Sequence, residues 1–242
     1  MIFSEHVFLY CERGSDTALL AEPANASSNL GFIFAALAGF WLLWRRPSER
    51  DAADSYLLAA LILLIGLGSL AFHLFANRGS ELADVVPIGL FMLVYIGIAL
   101  NRFLAVPPGW TMLIAAGFAA LVYVTLQLKC GGGMLGSPVA DSTGPSKCLN
   151  GSIGYLPALL GLIVIGALMR ERGHPAAHYL LWAALVFAIS VTLRSLDVQL
   201  CNSFTIAGRK VGTHAAWHLL NAGVLFLLLR SSLEAGRGTK VP

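Results

Sequence analysis

The sequence contains few charged residues. Asp, Glu, Lys and Arg make up 12% of its 242 residues, whereas 57% are hydrophobic and the mean hydropathy is +0.75. A water-soluble domain carries about twice that share of charge, and a disordered chain lacks this much hydrophobic surface. The 16 basic and 13 acidic residues are nearly balanced and scattered, which argues against a nucleic-acid partner. The composition therefore predicts one integral membrane domain.

The sequence also lacks internal repeats, and its apolar residues fall into seven runs. Runs of this length predict an all-α bundle of seven transmembrane helices. The predicted spans are 29–44, 56–75, 84–100, 110–128, 153–169, 178–200 and 212–230. Residues 1–28 have no basic n-region, and acidic residues interrupt them, so we expect an extracytoplasmic N-terminal cap rather than a cleaved signal peptide. Residues 29–230 then form the membrane domain, and residues 231–242 form a short cytoplasmic tail.

The loops differ in basic charge and in cysteine content. When successive loops are assigned to alternate sides of the membrane, nine Lys and Arg residues fall on one side and six on the other. Because the more basic side is usually cytoplasmic, this predicts an outside N-terminus and a cytoplasmic C-terminus. All four cysteines fall on the less basic face. Two disulfides in an oxidising compartment are favoured there over a thiolate metal site, since no CxxC spacing occurs. Three pairings are open, and we favour Cys130 with Cys148, which flank a Gly/Ser/Pro-rich loop, together with Cys11 and Cys201.

Few polar side chains enter the predicted spans, and each is a candidate for function. Ser69 and His73 lie near the outer end of span 2, Asp84 begins span 3, and His214 and His218 lie early in span 7. Because span 2 ends at the face where spans 3 and 7 begin, we expect these side chains at one depth. Three imidazoles can bind zinc and leave a fourth position open, as in catalytic zinc sites. By itself, Ser69 or a single histidine would be interpreted as a helix-packing contact, and Asp84 as a helix N-terminal charge.

The remaining ionisable residues near the spans are not assigned to this site. His174 and His178 lie on the cytoplasmic side, and His6 has no partner at a ligand spacing, so all three are interpreted as interfacial. Arg194 and Asp197, three residues apart near the outer end of span 6, are interpreted as an intrahelical ion pair, and a contact to a lipid headgroup or to the N-terminal cap is the alternative.

The pattern of polar residues on spans 2, 3 and 7 resembles the superfamily that joins the alkaline ceramidases with the adiponectin and progestin receptors. The N-terminal segment is similar to that of the ceramidases, in Tyr10-Cys11-Glu12, Ala21-Glu22 and Asn25-x3-Asn29. The resemblance implies zinc on His73, His214 and His218, with Ser69 and Asp84 beside it.

The resemblance also implies a calcium site in the N-terminal segment, near the zinc. Its candidate ligands here are Tyr10, Glu12, Asp16 and Glu22. Leu9 and Gly14, however, stand where the family usually has Asp and Asn, and calcium needs six to eight oxygen ligands. Acidic residues on a solvated cap are the alternative interpretation. The family's bridge from this segment to the loop before span 7 agrees with the pairing of Cys11 and Cys201.

Together these features give one functional hypothesis, a zinc-dependent intramembrane lipid amide hydrolase for which the resemblance implies ceramide as substrate. Asp84 would act as general base or orient a ligand histidine, and Ser69 would stabilise the oxyanion. The alternatives are a receptor-like zinc-binding lipid sensor, which the short cytoplasmic loops disfavour, and an ester or phospholipid hydrolase. We expect a bacterial inner membrane with the site toward the periplasm, and a eukaryotic secretory membrane is the other option.

Overall fold

The structure, a computed structural model, describes residues 2–45, 52–130 and 147–235. Its helices are α1 (Pro23–Ser28), α2 (Leu30–Trp44), α3 (Ala52–Phe75), α4 (Arg78–Ile98), α5 (Pro108–Gln127), α6 (Leu156–Glu171), α7 (Ala177–Ser195) and α8 (His214–Ala235). Short helical turns lie at Ile2–Ser4, Ala99–Phe103 and Leu149–Tyr155. In the described residues, strands occur only as a small antiparallel hairpin of β1 (Thr205–Ile206) and β2 (Arg209–Lys210), which pairs Thr205 with Lys210 and Ile206 with Arg209.

Seven helical segments are long and apolar enough to cross a membrane, which confirms the predicted seven-helix bundle. The segments are Pro23–Trp44, Ala53–Phe75, Arg78–Phe103, Pro108–Gln127, Leu149–Glu171, Ala177–Ser195 and His214–Ala235. Helix α8 continues five residues into the predicted tail, and the chain from 236 onward lies outside the described residues. Most of the predicted loop between spans 4 and 5, residues 131–146, also lies outside them.

Two of the helix boundaries that differ from the predicted ones bear on the site. Helix α4 begins at Arg78 because Asn77 caps it: the Asn77 side chain accepts the Ser80 N–H at 2.9 Å, and the Ser80 hydroxyl accepts the Asn77 N–H at 3.1 Å. This first turn is polar, so an apolar run does not reveal it. Helix α7 ends at Ser195 instead of residue 200, which leaves Asp197 in the following turn.

The bundle is apolar both inside and outside. Its core contains side chains from six helices, among them Phe32, Ile62, Phe91, Leu180 and Leu229. Many large apolar side chains on the outer helix faces are exposed, which suits a lipid environment rather than water. Helix α5 lies at the periphery, since none of its residues is buried.

The N-terminal segment folds over the end of the bundle at which α3 ends and α4 begins. The Val7 N–H donates to the Ala76 carbonyl oxygen at 2.8 Å, and the Arg78 N–H donates to the Glu5 carbonyl oxygen at 3.0 Å. These two bonds attach the segment to the turn between the helices. The segment is thus a fixed cap rather than a free tail.

Two disulfides strengthen this end of the molecule. One joins Cys11 to Cys201 and so ties the cap to the connection between α7 and α8. The other joins Cys130 to Cys148, across the connection between α5 and α6. This is the pairing that the sequence favours.

Helices α3 and α4 approach each other closely at Gly68. A Cβ atom at this position would collide with the backbone carbonyl oxygen of Ala83. Ser69 follows Gly68, and Asp84 follows Ala83, so this contact between backbones brings the two candidate catalytic residues near each other.

We expect Gly68→Ala to lower the melting temperature, because the added methyl group must displace backbone rather than a flexible side chain. Overpacking of this kind costs about 1–3 kcal/mol. Gly89→Ala on α4 is the matched control, since a Cβ there meets no atom within 4 Å and alanine favours a helix. Thermal unfolding in detergent measures the difference, and equal melting temperatures for the two variants would contradict the close approach.

Candidate metal centre

Three histidine side chains meet beneath the N-terminal cap. His73 lies in the last turn of α3, and His214 and His218 lie in the first two turns of α8. All three are buried, and their candidate ligand nitrogens lie within 4.8 Å of one another. The Nε2 atoms of His73 and His218 are 3.2 Å apart. The fold therefore brings together the histidines that the sequence singles out.

Hydrogen bonds on the outer side of two rings determine which nitrogen faces the cluster. Nδ1 of His73 contacts the carboxylate of Glu22, which can only accept, so this nitrogen carries the proton. The Ser28 hydroxyl donates its single hydrogen to the Asn25 carbonyl oxygen at 2.7 Å, and it therefore accepts from Nδ1 of His218 at 2.7 Å. Each ring thus engages Nδ1 outside the cluster and turns Nε2, the nitrogen available to a metal, toward its centre.

This arrangement fits a bound metal ion. Two lone pairs 3.2 Å apart repel each other unless a cation or a proton lies between them. Two nitrogens bound to one tetrahedral zinc at about 2.0–2.1 Å lie about 3.3 Å from each other. The third ring, His214, stacks on Tyr10 with 3.6 Å between ring centroids, and its buried Nδ1 has no hydrogen-bond partner within the described ranges. The donor set is therefore three buried imidazoles, and the outer hydrogen bonds of His73 and His218 leave Nε2 as the candidate ligand atom of each.

Ser69 and Asp84 lie beside the triad. The Ser69 Oγ is 3.5 Å from Nε2 of His218, and the Asp84 side chain is only 9% exposed. Together with His214 and His218 they line a cavity of about 270 Å³. The residues predicted to be catalytic therefore share one small space with two of the histidines.

A larger, partly open apolar pocket adjoins this space, with about 680 Å³ of empty volume that includes the open space at its mouth. The two cavities share four wall residues, Ile65, Ile88, Tyr155 and Asn221. The rest of the wall comes from α4 to α8 and is almost wholly apolar, with Phe91, Met92, Leu162, Phe187 and Leu225 among its residues. The polar site is thus placed next to a volume suited to a hydrocarbon chain.

The residues predicted to bind calcium do not form a common site. Among the described residues, the histidine triad is the one group of His, Cys, Asp and Glu close enough to hold a metal ion. Both Glu12 oxygens accept backbone N–H groups at the start of α1, at 2.9 and 2.8 Å. Asp16 accepts the Ala18 N–H at 2.8 Å, and Tyr10 packs on a histidine ring. Glu22 alone of the four contacts a residue of the triad through its carboxylate.

The cation beside Glu22 is Arg13. Its Nε donates to Glu22 Oε1, while the Asn25 side-chain amide donates to Oε2 at 2.9 Å. Burial raises the pKa of Glu22, whereas the hydrogen bond and the charge of His73, together with the hydrogen bonds from Asn25 and Arg13, lower it, and the pKa lies below its usual range. The carboxylate is therefore ionised where it holds His73.

Asp197 does not form the predicted intrahelical ion pair with Arg194, because α7 ends before it. Its carboxylate instead accepts three backbone N–H groups, from Cys11 at 2.9 Å, Thr213 at 2.7 Å and His214 at 2.9 Å. Burial raises the pKa of Asp197, and these three bonds oppose the rise only in part. Asp197 thus ties the cap to the first turn of α8. This helix carries two of the three histidines.

Arg194 forms part of the wall of the small cavity. Its Nη1 donates to the Asn150 carbonyl oxygen and to Ser152 Oγ, both at 2.9 Å, and its Nη2 donates to the Tyr10 hydroxyl at 3.2 Å. The guanidinium also lies 5.3 Å from the ring centroid of Tyr155. Arg194 is thus a buried cation held by neutral groups.

Sequence reasoning missed Arg13 and Ser28, whereas the alternative given for Asp197, a contact to the N-terminal cap, is the one the structure has. Arg13 reaches the backbone carbonyls of His73 and Leu74, and Ser28 reaches the His218 ring. Such contacts between distant parts of the chain have no periodicity or spacing. One signal was available for Arg13, since it is the single basic residue among the four acidic residues of the first 22 positions.

Comparison with known protein families agrees with this geometry. A family model described as Ceramidase matches residues 9–142, which is more than half of the chain. The chain therefore belongs to the ceramidase family and is a ceramidase-like hydrolase. The match includes Ser69, His73 and Asp84, whereas His214 and His218 lie beyond it and join the site through the fold. A comparison with curated proteins finds no significant match.

We expect Asp197→Ala to destabilise the protein by about 3 kcal/mol, since three buried N–H groups lose their acceptor. Asp197→Asn keeps one acceptor oxygen and should lose less. Asp54→Ala is the control, because Asp54 is half-exposed and its contact with Arg102 spans 3.5 Å, a pair worth about 1 kcal/mol or less. Denaturant unfolding measures all three variants. Equal stability of Asp197→Ala and Asp54→Ala would contradict the assigned role.

Proposed function

We propose that the chain is a zinc-dependent hydrolase that cleaves a lipid amide within the membrane, with a ceramide as the preferred substrate. The observation that carries the proposal is the buried triad, in which Nε2 of His73 and of His218 lie 3.2 Å apart. Neutral imidazole nitrogens suit zinc, and three protein ligands leave one position open. His73, His214 and His218 would hold the ion. When bound, zinc supplies Lewis acidity, which lowers the pKa of water toward 7 and polarises a carbonyl group.

The protein groups around the triad can perform the proton transfers of amide hydrolysis. The Asp84 carboxylate would accept a proton from the attacking water and deliver it to the departing amine nitrogen. The water oxygen joins the acyl carbon as the C–N bond breaks, so the products are a carboxylic acid and an amine. The Ser69 hydroxyl would donate to the carbonyl oxygen as negative charge develops on it.

The adjoining apolar cavity supports a lipid substrate. This cavity adjoins the polar site, since Tyr155 and Asn221 line both. An amide placed beside Ser69 and Asp84 would leave one hydrocarbon chain in this cavity. The ceramidase family membership supports a ceramide over other acyl lipids.

The location of the disulfides supports the orientation of the protein. Both lie at the end of the bundle that carries the triad. Disulfides persist in oxidising compartments. We therefore infer that the site and the N-terminal cap face the non-cytoplasmic side, with the periplasmic face of a bacterial inner membrane as the proposed location.

Substitutions should separate metal binding from proton transfer. We expect purified wild-type protein to contain zinc and to release a fatty acid from ceramide, and His218→Ala to lose both properties. Asp84→Asn should keep its zinc but lose turnover by about 10²–10⁴-fold, the usual effect of removing a general base. His178→Ala, at an exposed histidine of the opposite end, is the control and should match wild type. Elemental analysis and fatty-acid release measure the two properties.

The same assay distinguishes the alternative functions when it includes N-acyl sphingoid bases, glycerolipid esters and phospholipids. Amide cleavage supports the proposal. Ester cleavage without amide cleavage would indicate the related ester or phospholipid hydrolase. Zinc without turnover on any lipid would indicate a receptor-like lipid sensor.

Narrowing the apolar cavity should change the chain-length preference. Gly161 lines this cavity, and a Cβ there meets no atom within 4 Å, so leucine can enter the open space. We expect Gly161→Leu to lower kcat/KM for long-chain ceramides about tenfold, and to affect short-chain amides less. Gly117→Leu, on an exposed part of α5, is the control. An unchanged chain-length profile in Gly161→Leu would show that the cavity does not hold the substrate chain.

A further inference from the structure

Arg13 is a buried cation with every donor satisfied. Arg13 is only 4% exposed, although it lies in the N-terminal segment rather than in a helix. Five donor contacts hold the guanidinium: Nε to Glu22 Oε1, Nη1 to the carbonyl oxygens of Asp16 at 3.0 Å and Ala18 at 2.9 Å, and Nη2 to those of His73 at 2.7 Å and Leu74 at 3.3 Å. A guanidinium has five N–H groups, so none is left over.

The acceptors around Arg13 are of the kind that calcium uses. One carboxylate and four backbone carbonyls are hard oxygen ligands, and they come from the cap and from the end of α3. The guanidinium itself fills the space between them. The side chains of Glu12 and Asp16, the other acidic candidates, accept backbone N–H groups instead, and Asp16 contributes only its carbonyl oxygen to this space. The residues of this chain therefore do not fit a calcium ion here.

A cation is nevertheless required at this position. Glu22 is only 2% exposed, and a buried carboxylate is strongly destabilising without a positive partner. The same carboxylate accepts the Nδ1–H of His73 through its other oxygen, so it links the cation to the histidine triad. Arg13 also bonds to the backbone carbonyl of His73 itself. The guanidinium thus contacts the triad residue both directly and through Glu22.

We propose that Arg13 takes the place of a calcium ion, as a cation that is part of the chain. It holds the cap on the bundle and positions Glu22, which in turn orients His73. The site is therefore independent of calcium, and Arg13 is a positioning residue rather than a catalytic one. This inference goes beyond the proposed reaction and does not depend on the substrate.

The first test uses the wild-type protein and needs no activity. A resident calcium site would raise the melting temperature by several degrees at saturating calcium, through preferential binding to the folded state. We expect the same melting temperature in zinc-saturated buffer with and without millimolar calcium, and no calcium uptake in a titration that can detect one ion per chain. Stoichiometric uptake with a higher melting temperature would overturn the proposal.

The second test examines the positioning role. Arg13→Met keeps the length of the side chain without its charge, and should weaken zinc affinity about 10–100-fold, as loss of support for a metal ligand does. Arg13→Lys should restore part of this affinity. Arg209→Met is the matched control, because the exposed Arg209 also donates to the cap, at the Ala21 carbonyl oxygen.

Two readouts distinguish a positioning role of Arg13 from a role that only attaches the cap to the bundle. Zinc affinity is measured well below the melting temperature of each variant, and the visible spectrum of cobalt-substituted protein reports the ligand geometry. We expect a changed cobalt spectrum in Arg13→Met and an unchanged one in Arg209→Met. Wild-type affinity and spectrum in Arg13→Met would contradict the positioning role.

If Arg13→Met does not fold, the calcium titration of wild type still decides between the two cations. If wild type binds no zinc, the hydrolase proposal fails, while the calcium result still stands.

Discussion

The rest of the structure depends on two buried imidazole nitrogens that face each other at close range. Nε2 of His73 and of His218 lie 3.2 Å apart in a buried space, an arrangement that is stable only with positive charge between them. Glu22 and Ser28 enforce it from the outer side, since each accepts the proton that would otherwise be free to move. A metal ion satisfies the arrangement, and the surrounding elements can be understood as the means of holding its ligands in place.

The N-terminal cap contributes as much to this site as the helices do. Helical packing brings α3 and α8 together, but Glu22, Ser28 and Arg13 all come from the first 28 residues. Asp197 then joins the cap to the start of α8 through three backbone N–H groups. The polar chemistry is in this way confined to one end of the bundle, where a lipid headgroup would lie, and the apolar cavity extends from it among the helices.

Hydropathy and helical spacing predicted much of this arrangement. The seven spans follow from apolar runs. The four-residue spacing of His214 and His218 puts both on one helix face, and the alternating direction of the spans predicts that His73 lies at the same depth. The polar first turn of α4 could not be predicted from apolar runs, because a capping box rather than hydrophobicity defines it. Asp197 was assigned to a helix that ends two residues earlier. The role of Arg13 depends on backbone carbonyls from the cap and α3, a contact that residue spacing does not encode.

The central claim is that one zinc ion lies between three particular imidazole rings. Anomalous diffraction from crystals of the purified protein, recorded on both sides of the zinc absorption edge, tests this claim without substrate or assay. The account predicts a single strong peak bounded by His73, His214 and His218. The absence of a peak there, in protein prepared with zinc and without chelators, or a peak at other residues, would contradict it.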